Sequence, residues 1–231
     1  MDKILQMLLL QQQLNDATNG ENWEEGVTKN GKKINWKRCI YMECAEMIDS
    51  FAWKHWKNIE QEPDWDNHQI EVVDVWHFVM SLALQEYRRQ MLGSIDTLAL
   101  NISNMDLFQS FEAGNVEYEL PEVVMTQVEE LMLESLLREG FDLNRLLENF
   151  FKLARMSHLN MEGLYRLYVG KNILNQFRQD NGYKEGSYIK IWAGEEDNVV
   201  MKRIWEENGG DLKPEALYRE LARYYHQMTE A

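Results

Sequence analysis

The sequence predicts an all-α fold, a helical bundle with no significant β-sheet. Three observations support this prediction. Apolar residues recur at helical spacing along most of the chain, which is the main sequence signal of amphipathic helices. Pro121 and Pro214 stand where two of these patterns begin, and proline favours the first turn of a helix. No alternating apolar run between turn residues marks a convincing strand.

The predicted helices follow one another with recognisable start and stop signals. Pro63 ends the second helix because proline cannot continue one, and Asp64 or Asp66 can cap the third. Asp142 or Asn144 can begin the helix that follows the acidic section 93–140. The predicted bounds are about Asp2–Thr18, Trp36–Lys57, Asp64–Met91, Pro121–Arg138, Asp142–Met156, Asn160–Gln179, Asn198–Glu207 and Pro214–Met228.

Length, charge and cysteine content limit the class of protein. We predict a single domain over residues 1–231, with core helices at about 36–91, an acidic helical section of scaffold or partner surface at about 93–140, and a helix and loop at about 161–198. The net charge of −15 argues against binding to nucleic acid. No apolar window long enough to cross a membrane and no signal-peptide pattern is present. Cys39 and Cys44 point in different directions on one helix, so we expect no disulfide and a cytoplasmic protein.

Two pairs of acidic residues stand out in the core helices. Glu43 and Glu46 are three positions apart, as are Glu71 and Asp74, so each pair lies on one face of a helix. Like charges at this spacing repel unless a cation lies between them. Four carboxylates from two antiparallel helices would form the oxygen-rich site that Mg²⁺ or Mn²⁺ prefers. The two helices are therefore predicted to be metal-binding core helices.

A solvated helix face is the simpler interpretation of an acidic pair, and the surrounding sequence argues against it. Between residues 70 and 84 the polar residues are Glu71, Asp74, His77 and Ser81, which share an arc of roughly 120°. A helix that is apolar around the rest of its circumference is buried on most sides. Its polar stripe then faces a cleft or a polar core, where carboxylates need a cation.

Two further segments carry candidate binding residues. In the first helix Gln11 and Asn15 lie one turn apart, and solvent exposure is the simpler interpretation of these amides; the predicted apolar face is Leu5, Leu8, Leu9 and Leu14. Near the end of the helix about 160–179, Lys171, Asn175 and Arg178 share one face, which can bind phosphates or form ordinary surface salt bridges. The loop 179–198 that follows is rich in Gly, Lys and aromatic residues, and loops of this length are often functional.

These motifs resemble those of the all-α dimeric dUTPases, within the all-α NTP pyrophosphatase superfamily. The resemblance covers nearly the whole chain. An ExxE motif followed by ExxD is typical of the superfamily, whereas the segment from Lys171 to Gly186, of the form KNxLNxFRQxNGYKxG, is specific for the dUTPases. The resemblance implies a homodimer that hydrolyses dUTP to dUMP and pyrophosphate, and dUDP to dUMP and phosphate, with Mg²⁺, for which Mn²⁺ can substitute.

The resemblance also implies roles for individual residues. Glu43 would be the catalytic base. The metal ligands would be Glu43, Glu46, Glu71 and Asp74. The phosphate-binding residues would be Lys171, Asn175, Arg178, Tyr183, Lys190 and Asn198. The residues around uracil and deoxyribose would be Gln11, Asn15, Asn19, Trp23, His77 and Phe78.

Three alternatives remain open from the sequence. A di-iron carboxylate bundle also places acids on facing helices, but it uses two ExxH motifs, and here only the segment from Asp74 to His77 comes close. A non-catalytic helical interaction protein would use the polar stripes to set the register of its helices. A related pyrophosphatase would act on another nucleotide, such as dCTP.

Overall fold

The computed structural model of the protein describes residues 2–57, 62–114, 116, 118–208 and 213–229. These residues are mostly helical, which confirms the predicted all-α fold. A short 3₁₀-helix covers Trp23–Glu25, and one hairpin is formed by β1 (Ile191–Trp192) and β2 (Glu195–Glu196). The helices are α1 (Lys3–Asn19), α2 (Trp36–Asp49), α3 (Trp65–Arg89), α4 (Ile95–Ser103), α5 (Asp106–Ala113), α6 (Pro121–Leu136), α7 (Leu143–Met156), α8 (Met161–Asp180), α9 (Asp197–Glu207) and α10 (Pro214–Thr229).

The chain divides into two compact units, residues 1–164 and 165–231. The boundary falls within the second turn of α8, so most of that helix belongs to the second unit. The expectation of one domain over the whole chain stays a prediction. No helix in the described parts of the chain is both long and apolar enough to span a membrane.

The predicted helix starts are confirmed by their caps. The side chain of Asp64 accepts a hydrogen bond from the backbone N–H of Asn67 at 2.9 Å, and that of Asp142 accepts from Asn144 at 2.9 Å. Pro121 occupies the first turn of α6. Each cap satisfies a backbone donor that has no partner within its helix.

The predicted end of the second helix at about Lys57 is wrong, because α2 ends at Asp49. The Asp49 carboxylate accepts hydrogen bonds from Trp53 Nε1 at 2.9 Å and from Lys54 Nζ at 2.7 Å. Phe51 is buried directly after the helix end. The segment after Asp49 is therefore held by these contacts and does not continue α2.

Helix α3 is the centre of the first unit. It packs against α1, α2 and α7, and Trp76 stacks on Phe150 with ring centroids 4.6 Å apart. The apolar circumference of α3 is thus covered by its own chain and does not by itself require a second subunit. The homodimer stays a prediction that depends on the family resemblance.

The second unit has its own core, in which aromatic residues from α8, the hairpin and α10 meet. Phe177 of α8 lies edge-on to Trp192 and to Tyr225, with centroid distances of 6.0 and 5.5 Å. Leu217 and Leu221 of α10 are fully buried in the same cluster. The core therefore joins the C-terminal helix to the end of α8.

The sequence pattern did not indicate the hairpin. Its strands are two residues long, too short for an alternating pattern. The turn residues Ala193 and Gly194 have φ values of +51° and +91°. Positive φ at both positions is typical of the two-residue type I′ turn, which Asn-Gly signals more clearly than Ala-Gly.

Cys39 and Cys44 are both free thiols and do not form the disulfide that the sequence analysis argued against. Burial raises the pKa of both thiols, and the negative charge of Glu43 raises it further. Cys39 and Cys44 are therefore protonated near neutral pH.

A buried histidine should make the stability of the protein depend on pH. Burial lowers the pKa of His68 from 6.5 to about 3, while its Nε2 hydrogen bonds to Ser157 Oγ at 2.8 Å. Below pH 6.5 the unfolded chain binds a proton at this imidazole and the folded chain does not, so stability is lost as the pH falls towards 3. This residue should contribute about 2 kcal/mol of the loss between pH 7.5 and 5.

Urea unfolding of the wild type and of His68→Gln at both pH values tests this expectation. The loss of free energy of unfolding on acidification should be smaller in His68→Gln by that amount. His55→Gln, at an exposed position, is the control. Its loss of free energy of unfolding on acidification should equal that of the wild type. Equal losses in all three proteins would show that His68 does not titrate as expected.

Candidate metal and nucleotide site

Three of the four predicted metal ligands come together between α2 and α3. One carboxylate oxygen from each of Glu43, Glu46 and Glu71 lies within 4.8 Å of the other two. The two helices pack along each other, and the i,i+3 spacing places both α2 acids on the face that meets α3. We call these three residues the carboxylate cluster.

The fourth predicted ligand, Asp74, lies outside the carboxylate cluster. It follows Glu71 by three residues on α3 and is partly exposed. Its position on the same face places it next to the cluster along the helix axis. A role as a metal ligand remains a prediction for Asp74, as it does for the other three acids.

The carboxylate cluster fits a divalent cation by its donor atoms and its size. Mg²⁺ holds oxygen ligands at about 2.0–2.1 Å, so two ligands of one ion lie at most about 4.2 Å apart. The observed limit of 4.8 Å exceeds this by an amount that a small side-chain rotation can close. Neither Cys39 nor Cys44 is a member of the carboxylate cluster, so the donors that the cluster offers are oxygen atoms, which suits Mg²⁺ or Mn²⁺.

The position of His77 argues against the di-iron alternative. Its Nδ1 hydrogen bonds to Gln11 Oε1 at 2.7 Å, and it is not a member of the carboxylate cluster. Di-iron bundles take a histidine ligand from each of two ExxH motifs. Among the described residues the cluster that could hold a metal ion consists of carboxylates and contains no histidine.

The predicted nucleoside residues of α1 and α3 form a buried polar network. Gln11 Nε2 donates to Asn15 Oδ1 at 3.2 Å and to Ser81 Oγ at 3.1 Å, and Asn15 Nδ2 donates to Ser81 Oγ at 3.0 Å. His77 joins through Gln11 Oε1. All four side chains are buried, so the solvent-exposed interpretation of Gln11 and Asn15 is wrong.

The buried face of α1 differs from the predicted one because it includes the two amides. It consists of Ile4, Met7, Leu8, Gln11 and Asn15, whereas Leu9 is exposed. The spacing of three, one, three and four residues is helical, but two of the five positions are amides. A search for apolar residues alone therefore selected a rotated face.

Trp23 lies in the core of the first unit. Its side chain has no exposed surface, its Nε1 donates to Asp16 at 3.0 Å, and it meets Trp36 edge-on at 5.8 Å. Trp36 in turn stacks on Phe78 at 6.0 Å. Asn19 is partly buried at the end of α1. Phe78 and Asn19 keep accessible surface, and Trp23 is linked to Phe78 through Trp36.

In the second unit the predicted phosphate residues of α8 and α9 are brought together. Lys171 Nζ donates to Asn198 Oδ1 at 2.8 Å, and Arg178 Nη2 donates to the same oxygen at 3.2 Å. Arg178 Nη1 donates to Asn175 Oδ1 at 3.1 Å. We call these four residues the cationic cluster. The cluster carries two cations, of which Arg178 is also paired with a buried acid, Asp197. Such cationic side chains are suited to binding an anion.

Sequence reasoning missed the residue that holds Arg178 most firmly. Asp197, at the start of α9, accepts from Arg178 Nε at 2.8 Å and from Nη2 at 2.7 Å, and has no exposed surface. The hydroxyl of Tyr188 donates to the same carboxylate at 2.8 Å. A signal was present, since Asp197 directly precedes the predicted phosphate residue Asn198 in the sequence, but a search for cations and amides does not select an acid.

The remaining two predicted phosphate residues lie at the surface of the loop. The Tyr183 ring is 6.0 Å from Arg178 Cζ and half exposed. Lys190 Nζ lies 3.4 Å from Glu196 in a salt bridge exposed to solvent. Such a pair is weak, so Lys190 can exchange Glu196 for another anion at little cost.

Comparison with known proteins identifies one family. The model of a family described as dUTPase matches residues 3–183. No match was found among curated proteins. The matched segment contains the carboxylate cluster, the buried polar network, Lys171 and Arg178, and it ends before the hairpin, α9 and α10.

Proposed function

The chain belongs to the dUTPase family and is a dUTP diphosphatase, and we propose that its carboxylate cluster binds Mg²⁺ for the hydrolysis of dUTP to dUMP and pyrophosphate. The observation that carries this proposal is the convergence of Glu43, Glu46 and Glu71 within 4.8 Å. Asp74 is the fourth proposed ligand. Family membership implies a divalent metal, and the oxygen-only donor set favours Mg²⁺, with Mn²⁺ as a substitute.

The proposed mechanism needs a nucleophile, a base and neutralisation of the phosphates. When bound, the metal lowers the pKa of water and offsets the phosphate charge. Glu43 takes the proton from the attacking water, and its partial exposure leaves it accessible to solvent. Glu46 and Glu71 each have a carboxylate oxygen within 4.8 Å of one of Glu43, and with Asp74 they would hold the cation. In this division of roles Glu43 is both a ligand and the base, and its neighbours are ligands only.

The cationic cluster is proposed to bind the phosphate groups that leave as pyrophosphate. Arg178 presents a planar guanidinium, which is suited to phosphate oxygens, and Lys171 adds a second positive charge. Their orientation by Asn175 and Asn198 means that little side-chain freedom is lost on binding. Tyr183 and Lys190 are proposed to add contacts from the loop. The same residues would bind dUDP, which is hydrolysed to dUMP and phosphate.

The buried polar network is proposed to recognise uracil. Gln11, Asn15, His77 and Ser81 orient one another through hydrogen bonds, so the pattern of donors and acceptors that they present is fixed. A site built to hydrogen-bond one polar edge strongly rejects a base with the opposite donor pattern. Phe78 and Asn19 are proposed to contact the nucleoside. Trp23 is proposed to help hold Phe78 in place through Trp36.

Incubation with a panel of nucleotides tests the substrate. With Mg²⁺ and dUTP we expect dUMP and pyrophosphate, resolved by anion-exchange chromatography. Turnover of dCTP should be lower by about 10⁴-fold or more because its exocyclic amine reverses the donor pattern. dTTP should also be a poor substrate because of its methyl group. A protein treated with EDTA is the control.

The outcome of the panel separates two functions. If dCTP were hydrolysed as fast as dUTP, the chain would act as a pyrophosphatase of broader or different nucleotide specificity. Release of a single phosphate from dUTP, instead of pyrophosphate, would contradict the proposed position of bond cleavage. Cytoplasmic localisation and the homodimer stay predictions. Sedimentation at micromolar concentration tests the homodimer, and a monomer would contradict it.

A further inference from the structure

We propose that Tyr188 is a positioning residue for phosphate binding, which orients Arg178 through Asp197 and is itself held by Tyr225 of the C-terminal helix α10. The inference rests on the proposed function only in that Arg178 binds phosphate. It adds a relay of three side chains that lie outside the segment matched by the dUTPase family model, which ends at residue 183.

The first link is the ion pair between Arg178 and Asp197. Two parallel hydrogen bonds of 2.8 and 2.7 Å fix the plane of the guanidinium as well as its position. Asp197 has no exposed surface, and a buried carboxylate is stable only with its charge compensated. Asp197 cancels part of the positive charge of Arg178, so the charge of Asp197 does not favour phosphate binding. Asp197 contributes to binding by fixing the orientation of the guanidinium.

The second link is the hydrogen bond from the Tyr188 hydroxyl to Asp197. It ends on Oδ2, the oxygen that also accepts from Arg178 Nε, at 2.8 Å in both cases. Burial and the nearby carboxylate raise the pKa of Tyr188, so the hydroxyl stays protonated and remains a donor near neutral pH. The carboxylate is thus held from two sides, and its rotation would break contacts with both neighbours.

The third link fixes Tyr188 to α10. The rings of Tyr188 and Tyr225 are stacked, with centroids 5.2 Å apart and planes at 10°. The Tyr225 hydroxyl accepts from the backbone N–H of Ile189 at 3.2 Å, and Trp192 Nε1 donates to the Ile189 carbonyl at 2.8 Å. The N–H and the C=O of Ile189 are therefore each hydrogen-bonded to an aromatic side chain of the second unit's core.

The relay explains why the loop after α8 carries aromatic residues. A guanidinium on a free side chain must lose rotational freedom when it binds phosphate, and pre-orientation removes this cost. The cost would return if the carboxylate that orients the guanidinium became mobile. Loss of the Tyr188 hydroxyl should therefore weaken phosphate binding although Tyr188 itself touches no phosphate.

The test compares Tyr188→Phe with a matched control, Tyr218→Phe. The control removes the same kind of bond in the same unit, from the Tyr218 hydroxyl to Asp180 at 2.8 Å. Both substitutions keep the aromatic ring and its packing. Three quantities are measured for each protein: KM and kcat for dUTP, the Kd of inorganic pyrophosphate with Mg²⁺ by calorimetry, and Tm.

For Tyr188→Phe we expect the KM of dUTP and the Kd of pyrophosphate to rise together by about tenfold, the value of one hydrogen bond to a charged group. For Tyr218→Phe both should stay within about twofold of the wild type. A purely structural role of Tyr188 would lower Tm and leave both constants unchanged. That result would overturn the inference, as would equal rises in the two variants.

The pyrophosphate arm keeps this inference separate from the proposed function. If the wild type left dUTP intact, only the proposed function would be contradicted. The Kd of pyrophosphate could still be compared between the two variants and would still test the inference. A wild type that bound no pyrophosphate would overturn the inference, because Arg178 would then have no phosphate to bind.

Discussion

Glu43→Gln is expected to lower the turnover of dUTP by about 10²–10⁴-fold, the usual contribution of a general base. The substitution keeps the shape of the side chain and one oxygen, but it removes the charge and the ability to accept a proton. Because Glu46 and Glu71 remain within the carboxylate cluster, binding of Mg²⁺ and dUTP should stay close to normal. Steady-state kinetics together with calorimetric binding of dUTP measure the two effects separately.

The neighbouring acids provide the comparison for Glu43. Glu46→Gln, Glu71→Gln and Asp74→Asn should weaken metal binding first, and extra Mg²⁺ should partly restore their turnover. Glu130→Gln, at an exposed position of α6, removes one charge elsewhere and should have no effect. If Glu43→Gln lost metal and substrate affinity like the other three variants, Glu43 would be a ligand only, and the base would lie elsewhere.

Arg178→Ala should have two separate consequences. Breaking a buried ion pair by removing one partner costs about 3–5 kcal/mol, because Asp197 is left as an uncompensated buried charge. The loss of a charge-assisted contact to phosphate should in addition lower kcat/KM by about 10- to 150-fold. Urea unfolding measures the first effect, and kinetics at a temperature at which the variant is folded measure the second.

A double variant separates stability from activity. Arg178→Ala with Asp197→Ala removes the uncompensated charge, so it should recover much of the lost stability and none of the activity. Arg203→Ala is the control, since its salt bridge with Glu195 at 2.5 Å is partly exposed to solvent, and its loss should cost at most about 1 kcal/mol. Recovery of activity in the double variant would show that Arg178 does not bind substrate.

The helical content and the acid pairs were predictable because both depend on local spacing. The polar stripe of α3 is confined to a narrow arc, and the structure buries the rest of that helix as predicted. The i,i+3 spacing of the acids of α2 and α3 predicted that four carboxylates meet, and three of them do so in the structure. Caps at Asp64 and Asp142 follow from single residues and were equally accessible.

Other features depend on specific side-chain contacts, and the sequence pattern did not predict them. At the end of α2 the Asp49 carboxylate accepts hydrogen bonds from Trp53 and Lys54, four and five residues later, although the helical pattern itself runs on. The burial of Gln11 and Asn15 depends on Ser81 and His77, which lie 66–70 residues later in the sequence. No periodicity reports such a pairing.

The partner of Arg178 was missed for an electrostatic reason. A search for phosphate-binding residues selects cations and amides, so it found Lys171 and Asn198 and passed over Asp197. The structure shows that the acid takes up donors of the arginine and holds its plane. The pairing of Arg178 with Asp197 depends on how the loop packs against α8, which residue spacing does not predict.

The dependence of dUTP turnover on Mg²⁺ concentration, compared between the wild type and Glu71→Gln, tests the central claim most directly. We predict no turnover of the EDTA-treated wild type, saturable activation by Mg²⁺, and a half-saturating Mg²⁺ concentration at least about tenfold higher in Glu71→Gln, since a charged ligand contributes at least about 1.4 kcal/mol. Turnover that persists in EDTA, or the same half-saturating concentration in both proteins, would contradict a metal site at the carboxylate cluster.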